Sequence, residues 1–125
     1  MPAMHMLIVD DIAQNIDLLS LLLTRSGHQV TIARDGQEAL SKMQDDSIDI
    51  VLMDLQMPIM DGYEATKILR SWGYSQPIVA FSAHAMTEEK EKALSSGFSS
   101  YLSKPVTQSE LINRINEVID QRPSS

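Results

Sequence analysis

Short, wholly apolar runs alternate along the chain with segments in which apolar residues recur every three or four positions. An apolar run without alternation is typical of a strand buried on both faces. Apolar residues at every third or fourth position are typical of an amphipathic helix. This alternation predicts a parallel sheet covered by helices on both faces. The predicted strands are Met6 to Val9, Gln29 to Ala33, Ile48 to Met53, Pro77 to Phe81 and Ser99 to Ser103, and the predicted helices are Ile12 to Ser26, Gln37 to Gln44, Tyr63 to Ser71, Thr87 to Ser95 and Gln108 to Gln121.

The number of strand–helix units restricts the topology. Crossovers between parallel strands are right-handed, which leaves few ways to order five such units. We therefore predict an α/β, flavodoxin-like (βα)5 fold with a five-stranded parallel sheet in the order 2-1-3-4-5. The 125 residues are enough for one domain with its own core. We expect a single domain over residues 1–125, in which 121–125 form a frayed tail.

The composition argues against several kinds of site. A formal net charge of -7 argues against a basic surface for nucleic acid. The absence of cysteine excludes thiolate metal sites and a cysteine nucleophile. No apolar run approaches the roughly 20 residues that cross a bilayer. We therefore expect a cytoplasmic protein that binds neither nucleic acid nor membrane directly.

Polar side chains follow four of the predicted strands. Asp10 and Asp11 come after the first strand, Asp54 after the third, Ser82 after the fourth, and Lys104 after the fifth. A parallel sheet in the predicted order would bring these strand ends to one edge, where open α/β sheets bind their ligands. The sequence therefore predicts a small pocket with three carboxylates, one hydroxyl and one ammonium group.

The charges of this pocket point to a particular chemistry. Carboxylates packed closely repel one another unless a cation intervenes, and Lys104 supplies only one positive charge. The remaining excess favours a hard divalent ion with oxygen ligands, and Mg²⁺ suits a site with few carboxylates and several waters. Asp54 could then act as a nucleophile toward phosphorus, with Lys104 neutralising the transferring oxygens and Ser82 donating to one of them.

The motifs around these residues agree with a known family in order and spacing as well as in residue type. The chain resembles the response regulator receiver domain of two-component signalling. The residues of its motifs are similar to those of receivers attached to hybrid histidine kinases. The matching runs are VDD from Val9 to Asp11, MDLQMPIMDG from Met53 to Gly62, SAHAM from Ser82 to Met86, and YLSKP from Tyr101 to Pro105.

The resemblance implies a role for each matching residue. Asp54 would be the phosphoacceptor. Asp11 and Asp54 would ligate Mg²⁺ together with the backbone carbonyl of Gln56, and Asp10 would assist, partly through water. Lys104 would pair with the phosphorylated carboxylate.

The resemblance also implies a switch and its partners. Ser82 and Tyr101 would form a switch pair that changes the face made by the fourth helix, fifth strand and fifth helix, because phosphorylation adds negative charge and acceptor oxygens at Asp54. The donor would be a sensor histidine kinase or a histidine phosphotransfer protein. The domain would be a monomer or weak dimer. It would be a signalling phosphoacceptor in a phosphorelay, with only self-directed phosphoryl transfer and autodephosphorylation, and not an enzyme.

Three other interpretations remain open. A phosphatase with an aspartate nucleophile generally needs a second acid two residues later, where this chain has Gln56. A degenerate interaction module would not need the acidic pair Asp10 and Asp11, nor would it need Asp54 or Lys104. A flavin or dinucleotide binder would need a glycine-rich phosphate loop after the first strand, which the sequence lacks.

Overall fold

The computed structural model describes residues 4–44, 47–55, 57, 59–82, 87–104 and 106–120, in which strands and helices alternate. The predicted frayed tail, 121–125, lies outside the described residues. The strands are β1 (His5–Val9), β2 (Gln29–Ala33), β3 (Ile50–Asp54), β4 (Ile78–Ser82) and β5 (Ser100–Ser103), and the helices are α1 (Ala13–Arg25), α2 (Gly36–Lys42), α3 (Gly62–Ser71), α4 (Thr87–Ser95) and α5 (Gln108–Asp120).

The sheet has the predicted topology. All neighbouring strands pair in parallel, in the order β2-β1-β3-β4-β5. The fold-class prediction is therefore confirmed. The central strand β3 is buried at every position, as expected for an apolar run covered on both faces.

Two apolar layers cover the sheet, and alternate residues of each central strand enter opposite layers. On one face, side chains of α1 and α5 pack on the strands. On the other face, α2, α3 and α4 do so. The first layer includes Ile16, Leu19, Leu23, Leu111 and Ile115 against Ile8, Ile50, Leu52 and Phe81, and the second includes Ala39, Ala65, Leu69 and Ala93 against Val9, Val51, Met53 and Ala80.

The start of β3 differs from the prediction. The strand begins at Ile50, which pairs with Met6, and not at Ile48. The backbone N–H of Asp49 donates to the carbonyl of His5 at 2.8 Å, and the carboxylate of Asp49 accepts from the backbone N–H of His5 at 2.9 Å, so a side chain supplies one of the two hydrogen bonds at this point. At its other end the strand includes Asp54, which pairs with Phe81 on β4. The predicted site residue is therefore the last residue of the strand and is held within the sheet.

The turn before α3 brings that helix against the end of β3. The carboxylate of Asp61 caps α3 by accepting from the N–H of Glu64 at 2.9 Å. The N–H of Gly62 donates to the carbonyl of Leu55 at 3.1 Å. A Cβ at Gly62 would collide with the carbonyl oxygen of Asp54, so only glycine allows this approach.

Arg70 at the end of α3 ties together the loops at the opposite edge of the sheet. Its Nε donates to the carbonyl of Gly97 at 2.9 Å, and its NH1 donates to the carbonyls of Tyr74 and Gln76, each at 2.8 Å. The guanidinium presents several donors in a fixed geometry, which suits three carbonyls from two loops. This edge is thus stabilised without any of the residues at the carboxyl ends of the strands.

Candidate functional site

The carboxyl ends of β1 and β3 bring three acidic side chains together. Asp10 and Asp11 directly follow β1, and Asp54 is the last residue of β3. Each carboxylate offers an oxygen, and these oxygens all lie within 4.8 Å of one another. Asp10 and Asp54 are buried, at 1% and 5% exposure, whereas Asp11 is exposed. The predicted acidic cluster therefore exists, and Asp11 is its solvent-facing member.

Lys104, which follows β5, supplies a positive charge to this cluster. Its Nζ lies 3.0 Å from Oδ2 of Asp54 and 3.2 Å from Oδ2 of Asp10. The backbone N–H of Lys104 donates to the carbonyl of Ser82 at 2.7 Å, which anchors the lysine beside the end of β4. One ammonium group facing three carboxylates leaves an excess of negative charge in a partly buried place.

The two oxygens of Asp10 have different partners. Oδ1 accepts from the backbone N–H of Ile12 at 2.9 Å and so shapes the turn that leads into α1. Oδ2 faces Lys104. Each oxygen of Asp10 therefore already has a protein partner, while its carboxylate lies in the same cluster as those of Asp11 and Asp54.

The donor set fits a hard divalent cation. Carboxylate oxygens from Asp11 and Asp54 are close enough to share one ion, and such oxygens are the ligands that Mg²⁺ prefers. The exposed position of Asp11 leaves one side of the cluster open to water, which Mg²⁺ usually retains in its coordination shell. Gln56, whose carbonyl we predicted as a further ligand, lies outside the described residues.

Ser82 and Tyr101 both contact Glu89, a residue that no sequence pattern indicated as part of the site. Ser82, at 1% exposure, donates its hydroxyl to Oε1 of Glu89 at 2.5 Å. The phenol of Tyr101, at 7% exposure, donates to the same oxygen at 3.4 Å. Glu89 lies in the first turn of α4, where an acid is also expected for the helix dipole alone. Its sequence position therefore gave no separate signal of this contact.

Two phenols near Glu89 have raised pKa values. Burial raises the pKa of the Tyr101 phenol above its ordinary value. Burial and the Glu89 carboxylate together raise the pKa of Tyr63, on α3, to about 12. A phenol of ordinary pKa near 10 is already protonated at neutral pH, so these shifts extend the donor state of both tyrosines to more alkaline pH.

Tyr101 also borders the surface formed by α4, β5 and α5. A cavity of about 560 Å³ opens there, lined by Tyr101, Lys90, Glu110 and Arg114 among others. One side chain thus contacts both Glu89 and the surface that we predicted to change. The order of contacts from the site is Ser82, Glu89, Tyr101 and then this cavity.

Replacing Asp11 with asparagine should weaken metal binding and raise the stability of the metal-free protein. The substitution removes one repelling charge and leaves both Lys104 contacts, so we expect the metal-free protein to melt at a higher temperature. The lost ligand charge should weaken Mg²⁺ binding about tenfold or more. Thermal unfolding with and without Mg²⁺ measures both effects, since a ligand of the folded state raises the melting temperature.

The control for this experiment is Asp17→Asn on the exposed face of α1. It makes the same chemical change outside the cluster and should leave the Mg²⁺-induced shift as in the unmodified chain. An equal Mg²⁺ shift in Asp11→Asn and in the unmodified chain would exclude Asp11 as a ligand.

Comparison with known proteins agrees with this geometry. The family model described as the response regulator receiver domain matches residues 6–116. The sensor histidine kinase RcsC of Salmonella typhimurium is 46% identical over 104 residues, which are 83% of this chain and 11% of that protein. The hybrid signal transduction histidine kinase I of Dictyostelium discoideum is 42% identical over 122 residues, 90% of this chain and 7% of that protein. The chain thus spans about a tenth of the length of these relatives.

Two solved structures are similar over almost their whole length. The receiver domain of the sensor histidine kinase PA1611 from Pseudomonas aeruginosa, with a magnesium ion coordinated in its active site cleft, has a TM-score of 0.87 at 31% identity, covering 95% of this chain and 99% of that one. The receiver domain of Ssk1 from Saccharomyces cerevisiae, in complex with the histidine phosphotransfer protein Ypd1, has a TM-score of 0.89 at 31% identity, covering 98% and 93%. Among the described residues, no helix is both long and apolar enough to cross a membrane.

Proposed function

The chain belongs to the response regulator receiver domain family, and from this membership we propose that it is a Mg²⁺-dependent phosphoacceptor of a two-component phosphorelay, phosphorylated on Asp54. The observation that carries the proposal is the position of Lys104. Its Nζ contacts Asp54 at 3.0 Å, while the Asp54, Asp10 and Asp11 carboxylates lie within 4.8 Å of one another. The proposed nucleophile, its counter-charge and the proposed ion ligands are therefore close to one another.

The reaction proposed for Asp54 is an in-line phosphoryl transfer from a phosphohistidine. An oxygen of Asp54 attacks phosphorus, the P–O bond forms, the P–N bond breaks, and its electron pair leaves with the imidazole nitrogen. Lys104 donates to the transferring oxygens. Bound Mg²⁺ would neutralise further charge on the same oxygens. Water then hydrolyses the acyl phosphate, which releases inorganic phosphate and restores the carboxylate.

The consequence proposed for the rest of the domain is a change at the surface of α4, β5 and α5. Ser82 and Tyr101 are the side chains that would change position, because a phosphoryl group on Asp54 is a strong new acceptor beside the end of β4. Tyr101 already borders the cavity on that surface. A buried aromatic ring that moves there alters both its shape and its polarity.

The proposed donor is a sensor histidine kinase or a histidine phosphotransfer protein. Two findings support it: the curated relatives include sensor histidine kinases, and the similar Ssk1 receiver was solved in complex with Ypd1. A net charge of -7 argues against direct binding to nucleic acid. We place the domain in the cytoplasm, as a monomer or weak dimer that acts as a signalling phosphoacceptor and not as a turnover enzyme.

Incubation with acetyl phosphate tests this proposal. With Mg²⁺ present, intact-mass spectrometry should show one added phosphoryl group per chain, which is lost again on standing. Peptide mapping should assign the group to the peptide that contains Asp54. Continuous release of p-nitrophenol from p-nitrophenyl phosphate would contradict the proposal and favour an aspartate-dependent phosphatase.

A further inference from the structure

One carboxylate oxygen of Glu89 accepts hydrogen bonds from both side chains of the proposed switch. Oε1 lies 2.5 Å from the hydroxyl of Ser82 and 3.4 Å from the phenol of Tyr101. Glu89 is half-buried, and both of its donors are buried. Hydrogen bonds to an ionised acceptor are about twice as strong as neutral ones, so the short bond from Ser82 is a substantial local interaction, whereas the contact from Tyr101 is longer and weaker.

Apolar packing contributes little to the attachment of α4. Of the side chains that the structure describes in this helix, only Ala93 is buried, and the helix reads TEEKEKALS. Among the described side chains, the bonds from Ser82 and Tyr101 to Glu89 link the first turn of α4 to β4 and β5. Their release would remove these described contacts between the turn and the two strands β4 and β5.

The proton of Ser82 can have only one strong acceptor at a time. A serine hydroxyl carries a single donor, which here points to Glu89. A phosphoryl group on Asp54 would add oxygens that compete for this proton. Glu89 is itself an acceptor when ionised and cannot donate to those oxygens. Binding of Ser82 to the phosphoryl group therefore requires that its bond to Glu89 break.

We propose that Glu89 is a positioning residue that stabilises the unphosphorylated conformation by holding Ser82 and Tyr101 against α4. Phosphorylation removes Ser82 from Glu89, which takes away one of the two described bonds that link the first turn of α4 to the sheet. Glu89 thus determines how much free energy of interaction with the phosphoryl group is needed to change the conformation of the domain. This inference rests on the proposed function, because it takes Asp54 as the phosphorylated residue.

Titration with beryllofluoride in the presence of Mg²⁺ tests this role without turnover, since beryllofluoride imitates a phosphoryl group on a carboxylate. Glu89→Ala removes the competing acceptor and should tighten apparent binding about tenfold. Glu89→Gln keeps a neutral acceptor and should tighten binding by less. The matched control is Glu88→Ala, which removes the same charge from an exposed position in the same turn.

A second measurement reports the conformation of Tyr101 directly. With tyrosine ring carbons labelled and Tyr101→Phe used for assignment, the NMR signal of Tyr101 in Glu89→Ala without beryllofluoride should shift toward its position in the beryllofluoride complex. The Glu88→Ala signal should remain at the unliganded position. If Glu89 had only a structural role, its substitution would change the stability of the domain but would not shift the Tyr101 signal toward its position in the beryllofluoride complex.

The outcomes distinguish the inference from the proposed function. Binding and Tyr101 signals that are the same in Glu89→Ala, Glu89→Gln and Glu88→Ala would overturn the role of Glu89 alone. Absence of both beryllofluoride binding and phosphorylation in the unmodified chain would overturn the proposed function, and the role of Glu89 with it.

Discussion

Asp54→Asn should reduce phosphorylation by acetyl phosphate to background. The amide that replaces the carboxylate has no anionic oxygen to attack phosphorus, and it also lacks the charge that helps to hold Mg²⁺. The two side chains are nearly equal in size, so the packing of β3 should be retained. Intact-mass spectrometry of the unmodified and substituted chains, incubated side by side with Mg²⁺, measures the effect.

The matched control lies immediately before the other end of the same strand. Asp49→Asn makes the same chemical change, and the asparagine oxygen can still accept the hydrogen bond from the N–H of His5. This variant should be phosphorylated as fully as the unmodified chain. A stable added phosphoryl group on Asp54→Asn would show that another residue is the acceptor.

Lys104→Met should slow phosphorylation by about 10²- to 10³-fold, the typical cost of removing a group that stabilises developing charge in an active site. The methionine keeps much of the aliphatic stem but removes the ammonium group that lies 3.0 Å from Asp54 and 3.2 Å from Asp10. The rate of mass gain with acetyl phosphate and saturating Mg²⁺ measures the loss. Saturating Mg²⁺ also offsets the repulsion that three carboxylates experience when the lysine is absent.

Lys67→Met is the control for this variant. Lys67 is exposed on α3, so its substitution changes the net charge equally without touching the site. Its rate should stay within about twofold of the unmodified chain. Equal rates in Lys104→Met and Lys67→Met would mean that Lys104 serves only to balance the buried carboxylates.

The predicted site was specific because each chemical group followed a strand. Asp10, Asp11, Asp54 and Lys104 come from three strands that are separated widely in the chain. Parallel pairing brings equivalent strand ends to one edge, so the topology alone predicts that these side chains lie close together. The structure confirms their proximity, while their roles in phosphorylation and metal binding stay predictions.

The contacts of Glu89 and Arg70 could not be predicted from the sequence. Glu89 stands beside Glu88 in the first turn of a polar helix, where acids are common because of the helix dipole. Arg70 occupies the last turn of α3, where basic residues are common for the same reason. Each position therefore had a sufficient local explanation. Only the packing of α4 against β4 and β5, and of α3 against two loops, gives these side chains their other partners.

The sequence by itself determined the alternation of elements, the parallel sheet and the edge at which the acids and the lysine would meet. These depend on hydrophobic period and handed crossovers, which are local or nearly so. The tertiary structure alone decided that β3 begins at Ile50, that Asp11 is the exposed acid of the cluster, and that Ser82 and Tyr101 share Glu89. Those results depend on how side chains and backbone segments distant in the chain pack against one another, and no pattern along the chain records that packing.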